Sequence, residues 1–319
     1  NNTFINKYKP YYVNDFYISE QLKYTIHTLV EIDNLNLLFV GNACSGKTTL
    51  LYAIIREYYG LSKTDSFPEY NTLFINNLKE QGIQYFRNEM KTFCQSHSNI
   101  YGKKKLVVID DIDNINEQSQ QVFRNCIDKY SSNVHFISSC SNVQKVIDSL
   151  QSRMIIIKLK PLSNDNLNNI LQKIKLLENL TLDNKTEQFV LTVSNGSVRI
   201  LLNYLEKFKI LDEPITYELV NNICTNISFT IFEEYTKHVL QARLNDAIHV
   251  FHDLFDKGYS VMDIYDNYFL FVKLTDLFNE SQKYEIIKLL CKYITIFHNI
   301  HEDEIELALF TNNIIQSVS

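Results

Sequence analysis

The segment "NLLFVGNACSGKTTLLYAIIREYY", residues 36–59, constrains the possible fold of this chain more than any other segment. The apolar run 35–40 predicts a buried strand, and the helical spacing of apolar residues in 48–59 predicts a helix. The loop between them fits the pattern G-x-x-x-x-G-K-[ST], through Gly41, Gly46, Lys47 and Thr48. The pattern alone also arises as a chance glycine turn. Its position between a buried strand and a helix predicts a loop that binds phosphate groups.

The predicted loop supplies a nucleotide with three kinds of contact. Its backbone N–H groups and the start of the following helix surround the phosphates, Lys47 neutralises their charge, and Thr48 binds Mg²⁺. Three residues inside the loop, Asn42, Ala43 and Cys44, are unusual, and Cys44 stands where a glycine often helps the backbone to curl. The predicted nucleotide-binding residues are Gly41, Asn42, Ala43, Cys44, Ser45, Gly46, Lys47, Thr48 and Thr49.

A second apolar run, "LVVIDDID" (106–113), ends in acidic residues. A strand that delivers carboxylates beside a phosphate loop can supply one acid near the metal ion and another near the attacking water. We expect Asp110 to be the metal-side acid and Asp111 the water-side acid. The alternative is an acidic cap for the next helix, and this is the role that we expect for Asp113.

Strands alternate with helices up to residue 160, which predicts an α/β fold with a parallel sheet covered on both faces. Ligands of such sheets bind at the carboxyl ends of the strands, where both the loop and the acids lie. After Pro161 the pattern is helical. We expect a nucleotide-binding domain at 1–160, a small helical lid at 161–225 and a helical domain at 226–319.

Composition narrows the class of protein. The chain has 319 residues, enough for two or three domains, and its six cysteines form no C-x-x-C pair, which fits a reducing, intracellular environment. No apolar run approaches the length of a membrane span, and the first residues lack the apolar core of a signal peptide. A net charge of −6 argues against a lone DNA-binding domain, although not against a basic surface shared among subunits.

Further segments follow the same order along the chain as those of one known family. They are "FINKYKP" (4–10), "IDDIDNINEQSQQVFRNCIDKYS" (109–131), "QSRM" (151–154) and "NGSVRILLNYLE" (195–206). Together with the phosphate loop, they resemble the small subunits of clamp loaders of the replication factor C kind, a family of AAA+ ATPases. The resemblance covers residues 4–206, and beyond 226 only "LFDKGYSVMDI" continues it. It implies an AAA+ domain, a helical lid and a C-terminal collar.

The resemblance also implies roles for residues outside the loop. Arg153 matches an arginine finger that acts in trans on a neighbour's ATP, and Arg199 matches a lid arginine that contacts the γ-phosphate. Each could instead be an ordinary helix charge. Tyr8 and Pro10 match the segment that lies against adenine. Asp111 replaces the catalytic glutamate of the family, and Ser141 replaces its sensor asparagine. Asn142, the residue after Ser141, could substitute for that asparagine.

The resemblance implies that five subunits form a ring, open a sliding clamp and place it on primer–template DNA, using ATP and Mg²⁺. Helix starts near residues 82–85 and 119–122 would follow the DNA backbone, with Gly82, Arg87 and Arg124 as candidate contacts. Both arginines could equally be ordinary surface charges. The location would be the nucleus in a eukaryote or the replication site in an infected host.

Two alternatives to an active clamp-loader ATPase stay open on the sequence. One is a structural subunit that binds ATP without hydrolysing it and lends Arg153 to its neighbour. The other is a different AAA+ ATPase acting on DNA, such as a branch-migration motor. The segments "QSRM" and "NNLKEQGI" (76–83) favour the clamp loader over the motor.

Overall fold

The computed structural model describes residues 3–75, 82–211, 215–224, 227–297 and 301–318. In this part of the chain, five strands form one sheet with the order β2-β3-β4-β1-β5, and every pairing is parallel. The strands are β1 (Leu37–Val40), β2 (Thr72–Ile75), β3 (Lys105–Ile109), β4 (Val134–Cys140) and β5 (Ile155–Lys158). The predicted parallel sheet is confirmed. Most of the segment 76–83, which favoured a clamp loader, lies outside the described residues.

Helices cover both faces of this sheet. The helices in the first half are α1 (Phe4–Lys7), α2 (Glu20–Glu31), α3 (Lys47–Tyr59), α4 (Gly82–Gln95), α5 (Glu117–Tyr130) and α6 (Asp148–Gln151). Alternate residues of β1 enter different cores, since Leu37 and Phe39 pack with α2 and α3, whereas Leu38 packs with residues of α4 and α5. Burial on both faces explains why the strands are continuous apolar runs.

The second half of the described chain is helical. Its helices are α7 (Asn164–Glu178), α8 (Asn184–Val193), α9 (Val198–Leu211), α10 (Tyr217–Cys224), α11 (Phe229–Leu240), α12 (Leu244–Asp256), α13 (Val261–Leu274), α14 (Glu280–Phe297) and α15 (Ile305–Val318). Within the described residues, none of the helices combines the length and apolarity that crossing a membrane requires.

The chain divides into two compact units. The first contains residues 1–179 and 194–210, and the second contains 180–193 and 211–319. The first unit therefore holds the sheet with α7 and nearly all of α9. An aromatic core fills the second unit, where Tyr235 stacks on Phe251 with ring centroids 3.7 Å apart and Tyr268 meets them edge-on. The boundaries at 160 and 225 stay a prediction.

Candidate nucleotide-binding site

The loop 41–46 lies at the carboxyl edge of the sheet, between β1 and α3. The Gly41 N–H donates to the carbonyl of Cys140 at 3.2 Å, which fixes the loop to the end of β4. A Cβ added at Gly41 would lie 2.8 Å from Ser45 Oγ and 2.9 Å from the carbonyl of Leu159, so this position requires glycine. Sheet edges of this kind are where α/β proteins bind their ligands.

Two left-handed residues give the loop its curl. Gly46 precedes α3 with φ +87°, and Cys44 has φ +60° although it carries a side chain. A left-handed conformation costs a residue with a Cβ about 1 kcal/mol or more. The exposed Cys44 thus adopts the conformation that glycine would favour, and the unusual sequence still forms the curled loop.

The Lys47 side chain is buried inside this loop. Its Nζ donates to the carbonyl oxygens of Gly41 at 2.9 Å and Asn42 at 3.0 Å, and it lies 3.3 Å from Ser141 Oγ. The ammonium group is therefore held where the loop backbone, the start of α3 and the end of β4 meet. A cation at this point can neutralise a phosphate that the loop binds.

Thr48 and Asp110 form an oxygen pair next to that lysine. Thr48 Oγ1 donates to Asp110 Oδ2 at 2.9 Å, and the hydroxyl of Ser139 donates to Asp110 Oδ1. Hydroxyl and carboxylate oxygens are the hard ligands that Mg²⁺ prefers, and Mg²⁺ takes its other ligands from water and nucleotide phosphates. The chemistry of this pair therefore fits the predicted metal site.

Asp111 follows directly, in an unusual backbone conformation. It has φ +51°, and its N–H donates to Ser139 Oγ at 3.1 Å. Partial burial and the neighbouring charge of Asp110 raise the pKa of Asp111, while the ammonium of Lys47 works against them. The structure thus brings both predicted acids to the phosphate loop.

The prediction that Asp113 caps the following helix is wrong. Asn116 caps α5, because its side chain accepts from the Ser119 N–H at 2.9 Å. Asp113 Oδ2 instead accepts from the backbone N–H groups of Ser141 at 3.1 Å and Asn142 at 2.9 Å. Asp113 therefore ties the end of β4 to the turn after β3.

The two candidate sensor residues occupy different positions. Ser141 Oγ lies near Lys47, whereas Asn142 Oδ1 accepts from the Gln144 N–H at 2.9 Å and caps the short 3-10 turn Val143–Lys145. The structure brings Ser141 to the phosphate loop and directs the Asn142 side chain into a turn.

The N-terminal segment is bound to helix α7. Glu178 accepts from Lys7 Nζ at 2.6 Å and from the Tyr8 hydroxyl, and the ring of Tyr8 packs edge-on against Phe4. Burial raises the pKa of Tyr8, and its hydrogen bond to Glu178 adds to this effect. Tyr8 and the half-buried Pro10 therefore belong to a segment that α7 holds in place.

The two arginines with predicted catalytic roles lie outside the loop. Arg153 follows α6, and its partners are the carboxylate of Asp128 on α5 and the carbonyl of Ser149 on α6. Arg199 is exposed in the first turn of α9, and it has no ion-pair partner among the described residues. Neither side chain contacts the phosphate loop of its own chain in the part of the structure that is described.

The candidate DNA contacts lie on α4 and α5. Gly82 begins α4, Arg87 is exposed on it, and the side chains of residues 82–86 lie outside the described residues. Arg124 Nε lies 3.5 Å from Asp128 Oδ2. The helix start expected near 119–122 lies two residues earlier, since α5 begins at Glu117.

Sequence reasoning missed two buried residues at this site. The Ser139 hydroxyl contacts both acids. The Gln120 side chain joins the turn after β3 to the turn after β4, through the carbonyls of Ile115 and Lys145 at 3.0 Å each and the Ile147 N–H at 2.9 Å. For Ser139 the available signal was a polar residue within the buried strand β4. Gln120 carried no such signal, because its neighbours Gln118 and Gln121 are exposed.

Comparisons with known proteins identify the type of domain that carries this site. The sequence profile of the family described as AAA domain matches residues 34–168. The matched region contains the phosphate loop, the acids after β3, the end of β4 and Arg153.

Relatives match over most of the chain. "Probable replication factor C subunit 5" of Dictyostelium discoideum is 30% identical over 282 residues, which cover 86% of this chain and 80% of that protein. "Replication factor C subunit 4" of Saccharomyces cerevisiae is 28% identical over 301 residues, which cover 89% and 86%. Among solved structures, the RuvB Holliday junction branch migration motor of Thermotoga maritima is similar with a TM-score of 0.53 and 15% identity, covering 84% of this chain and 91% of that chain. Similarity at that identity supports a shared fold alone.

Proposed function

The chain belongs to the replication factor C family, and on this premise we propose that it is an ATPase subunit of a clamp loader. It binds Mg-ATP in the loop between β1 and α3 and hydrolyses it within an assembly of related subunits. That assembly uses ATP binding to open a sliding clamp and hydrolysis to leave it on primer–template DNA.

One observation carries the proposal. Lys47, the Thr48–Asp110 pair and Asp111 meet at the carboxyl edge of a parallel sheet, around a loop whose backbone is already curled. Lys47 and the loop N–H groups bind the phosphates, and Thr48 and Asp110 hold Mg²⁺, which neutralises charge that develops on the phosphates. Asp111 orients the attacking water, and Ser141 contributes its hydroxyl beside Lys47.

Most of the remaining roles require neighbours, whereas Arg199 would act on the nucleotide of its own subunit. Arg153 lies away from its own loop, as an arginine that serves an adjacent subunit would. Arg199 would reach the γ-phosphate from the lid at 161–225, and the region 226–319 would form the collar of a five-membered ring. Gly82, Arg87 and Arg124 would line the DNA channel. The relatives point to a site of replication, which is the nucleus in a eukaryotic cell.

A non-hydrolysing member of the ring is the second candidate, and one observation favours it. Asp111 is one methylene shorter than the glutamate of the family and stands in a left-handed conformation. Such a subunit would still bind ATP and lend Arg153. A branch-migration motor has less support, because the similarity to RuvB concerns the fold alone.

The first experiment measures ATP binding by titration calorimetry in the presence of Mg²⁺. We expect Lys47→Ala to weaken ATP affinity at least ~10-fold, which corresponds to roughly 1.4 kcal/mol. The matched control is Lys173→Ala, which removes an exposed lysine of α7 and should leave the affinity unchanged. Equal affinity in Lys47→Ala and the unmodified chain would contradict the assignment of the loop.

A further inference from the structure

The side chain of Ser139 contacts both acids of the candidate site. Its hydroxyl donates to Asp110 Oδ1, and its oxygen accepts from the Asp111 N–H at 3.1 Å. One buried hydroxyl thus satisfies a carboxylate oxygen of the first acid and the backbone of the second.

The sheet register explains this contact. Ile109 of β3 pairs with Ser138 of β4, so the next residues along each strand, Asp110 and Ser139, come side by side. Successive residues of a strand face opposite sides of the sheet, and the side chain of Ser138 accordingly has different neighbours. Ser138 Oγ lies 3.5 Å from both the Leu37 carbonyl and Met154 Sδ.

The second oxygen of Asp110 has its own partner. Thr48 Oγ1 donates to Oδ2 at 2.9 Å, so the carboxylate is fixed at both ends and cannot turn without losing a hydrogen bond. Hydrogen bonds to charged groups contribute more than those between neutral groups. A carboxylate fixed in this way presents one defined edge to a cation beside Thr48.

We propose that Ser139 is a positioning residue for the magnesium site. It orients the Asp110 carboxylate toward the ion that Asp110 and Thr48 hold, and it supports the left-handed backbone of Asp111. This inference rests on the proposed function, because it assumes that the loop binds Mg-ATP. Replacing a residue that hydrogen-bonds to a metal ligand without touching the metal typically lowers metal affinity by about 10- to 100-fold.

The test compares ATP affinity in excess magnesium chloride with ATP affinity in EDTA, by calorimetry on the full chain. In the unmodified chain we expect Mg²⁺ to strengthen ATP binding. In Ser139→Ala we expect this gain to fall by ~10-fold or more, while affinity in EDTA stays within about 2-fold. A role limited to stability would lower both affinities together.

The matched control is Ser138→Ala, which makes the same substitution at the adjacent and equally buried residue. It should leave both affinities unchanged. Ser139→Thr keeps the hydroxyl and should retain the magnesium gain. If the alanine variant does not fold, Ser139→Cys replaces it, since a thiol of similar size is only a weak donor.

The outcomes separate the inference from the function on which it rests. If the unmodified chain binds no ATP, the proposed function fails and the inference fails with it. If the chain binds Mg-ATP but Ser139→Ala keeps the full magnesium gain, only the inference is overturned. Equal losses in Ser138→Ala and Ser139→Ala, or equal losses with and without Mg²⁺, would also overturn it.

Discussion

The carboxylate of Asp128 holds the side chain of Arg153. Arg153 Nε donates to Asp128 Oδ1 at 2.5 Å, and the other carboxylate oxygen lies 3.5 Å from Arg124 Nε. The hydrogen bond from Arg153 lowers the pKa of Asp128, so this carboxylate stays charged. Exposed ion pairs are weak, so Arg153 would need little energy to leave Asp128 in the proposed finger role.

This relationship leads to the first prediction. Arg153→Ala should leave ATP binding by the isolated chain nearly unchanged, because the arginine contacts Asp128 rather than its own loop. Hydrolysis by the assembled complex should fall ~10³-fold or more, the range typical of arginine fingers. Steady-state ATPase assays check this, with Lys129→Ala as a control for loss of an exposed cation near Asp128. Normal turnover by the Arg153→Ala complex would remove the finger assignment.

The second prediction concerns the short acid Asp111. Asp111→Glu restores one methylene of reach, and we expect it to raise turnover by the assembled complex. A misplacement near 1 Å changes rates by about 10²-fold, so the gain should be measurable. Asp111→Ala should lower turnover. If both variants hydrolyse ATP at the unmodified rate, Asp111 has no catalytic role, and the non-hydrolysing alternative gains support.

A third prediction uses the strained loop residue Cys44. Cys44→Gly should raise the free energy of unfolding by up to about 1 kcal/mol, since glycine adopts φ +60° without a steric penalty. Cys44→Ala is the matched control, because it removes the thiol and keeps the Cβ. Urea titration of the three proteins checks this. An equal gain in both variants would mean that the thiol, rather than the backbone, is the source of the instability.

Much of the fold and site could be predicted because local patterns specify them. Strands buried on both faces must be apolar throughout, and a glycine-bounded loop after such a strand has few other uses. The phosphate loop, Asp110 and Asp111 were therefore placed correctly at one edge of the sheet.

The missed contacts join residues from different strands. Asp113 binds the backbone after β4, and Ser139 binds the acids after β3, because β3 and β4 are neighbours in a particular register. A sequence pattern indicates each strand but neither its neighbour nor its register. Asn142 illustrates the same limit. Its side chain accepts a hydrogen bond from the Gln144 N–H, and this contact depends on the path of the backbone after β4, which the sequence pattern does not give.

A buried histidine lies at the opposite, amino edge of the sheet. His135 Nε2 lies 2.9 Å from Asp33 Oδ1, and the Leu35 N–H donates to Nδ1 at 3.4 Å, an arrangement that assigns the proton to Nε2. Asp33 also accepts from the Tyr58 hydroxyl at 2.7 Å. Burial lowers the pKa of His135 below its ordinary value, although the bond to Asp33 works in the other direction. The folded chain therefore holds His135 neutral at pH values where the unfolded chain protonates it.

The last prediction is that acid destabilises the first unit through this residue. A histidine whose pKa is lowered by folding contributes stability that is complete above its unfolded pKa of about 6.5, and that is lost as the pH falls below it. The slope can reach about 1.4 kcal/mol per pH unit for one proton. Partial burial raises the pKa of Asp33, but hydrogen bonds with His135, Tyr58 and Lys104 outweigh it and lower the pKa below the ordinary value of 3.8. The contribution of Asp33 to stability is therefore lost only when the pH falls below about 3.8. Urea unfolding at several pH values between 7.5 and 5.5 therefore reports mainly the protonation of histidines.

In His135→Gln the dependence of the free energy of unfolding on pH should be shallower than in the unmodified chain. In His97→Gln, which replaces an exposed histidine, it should match the unmodified chain. Identical pH dependence in His135→Gln and the unmodified chain would show that His135 protonation does not limit stability.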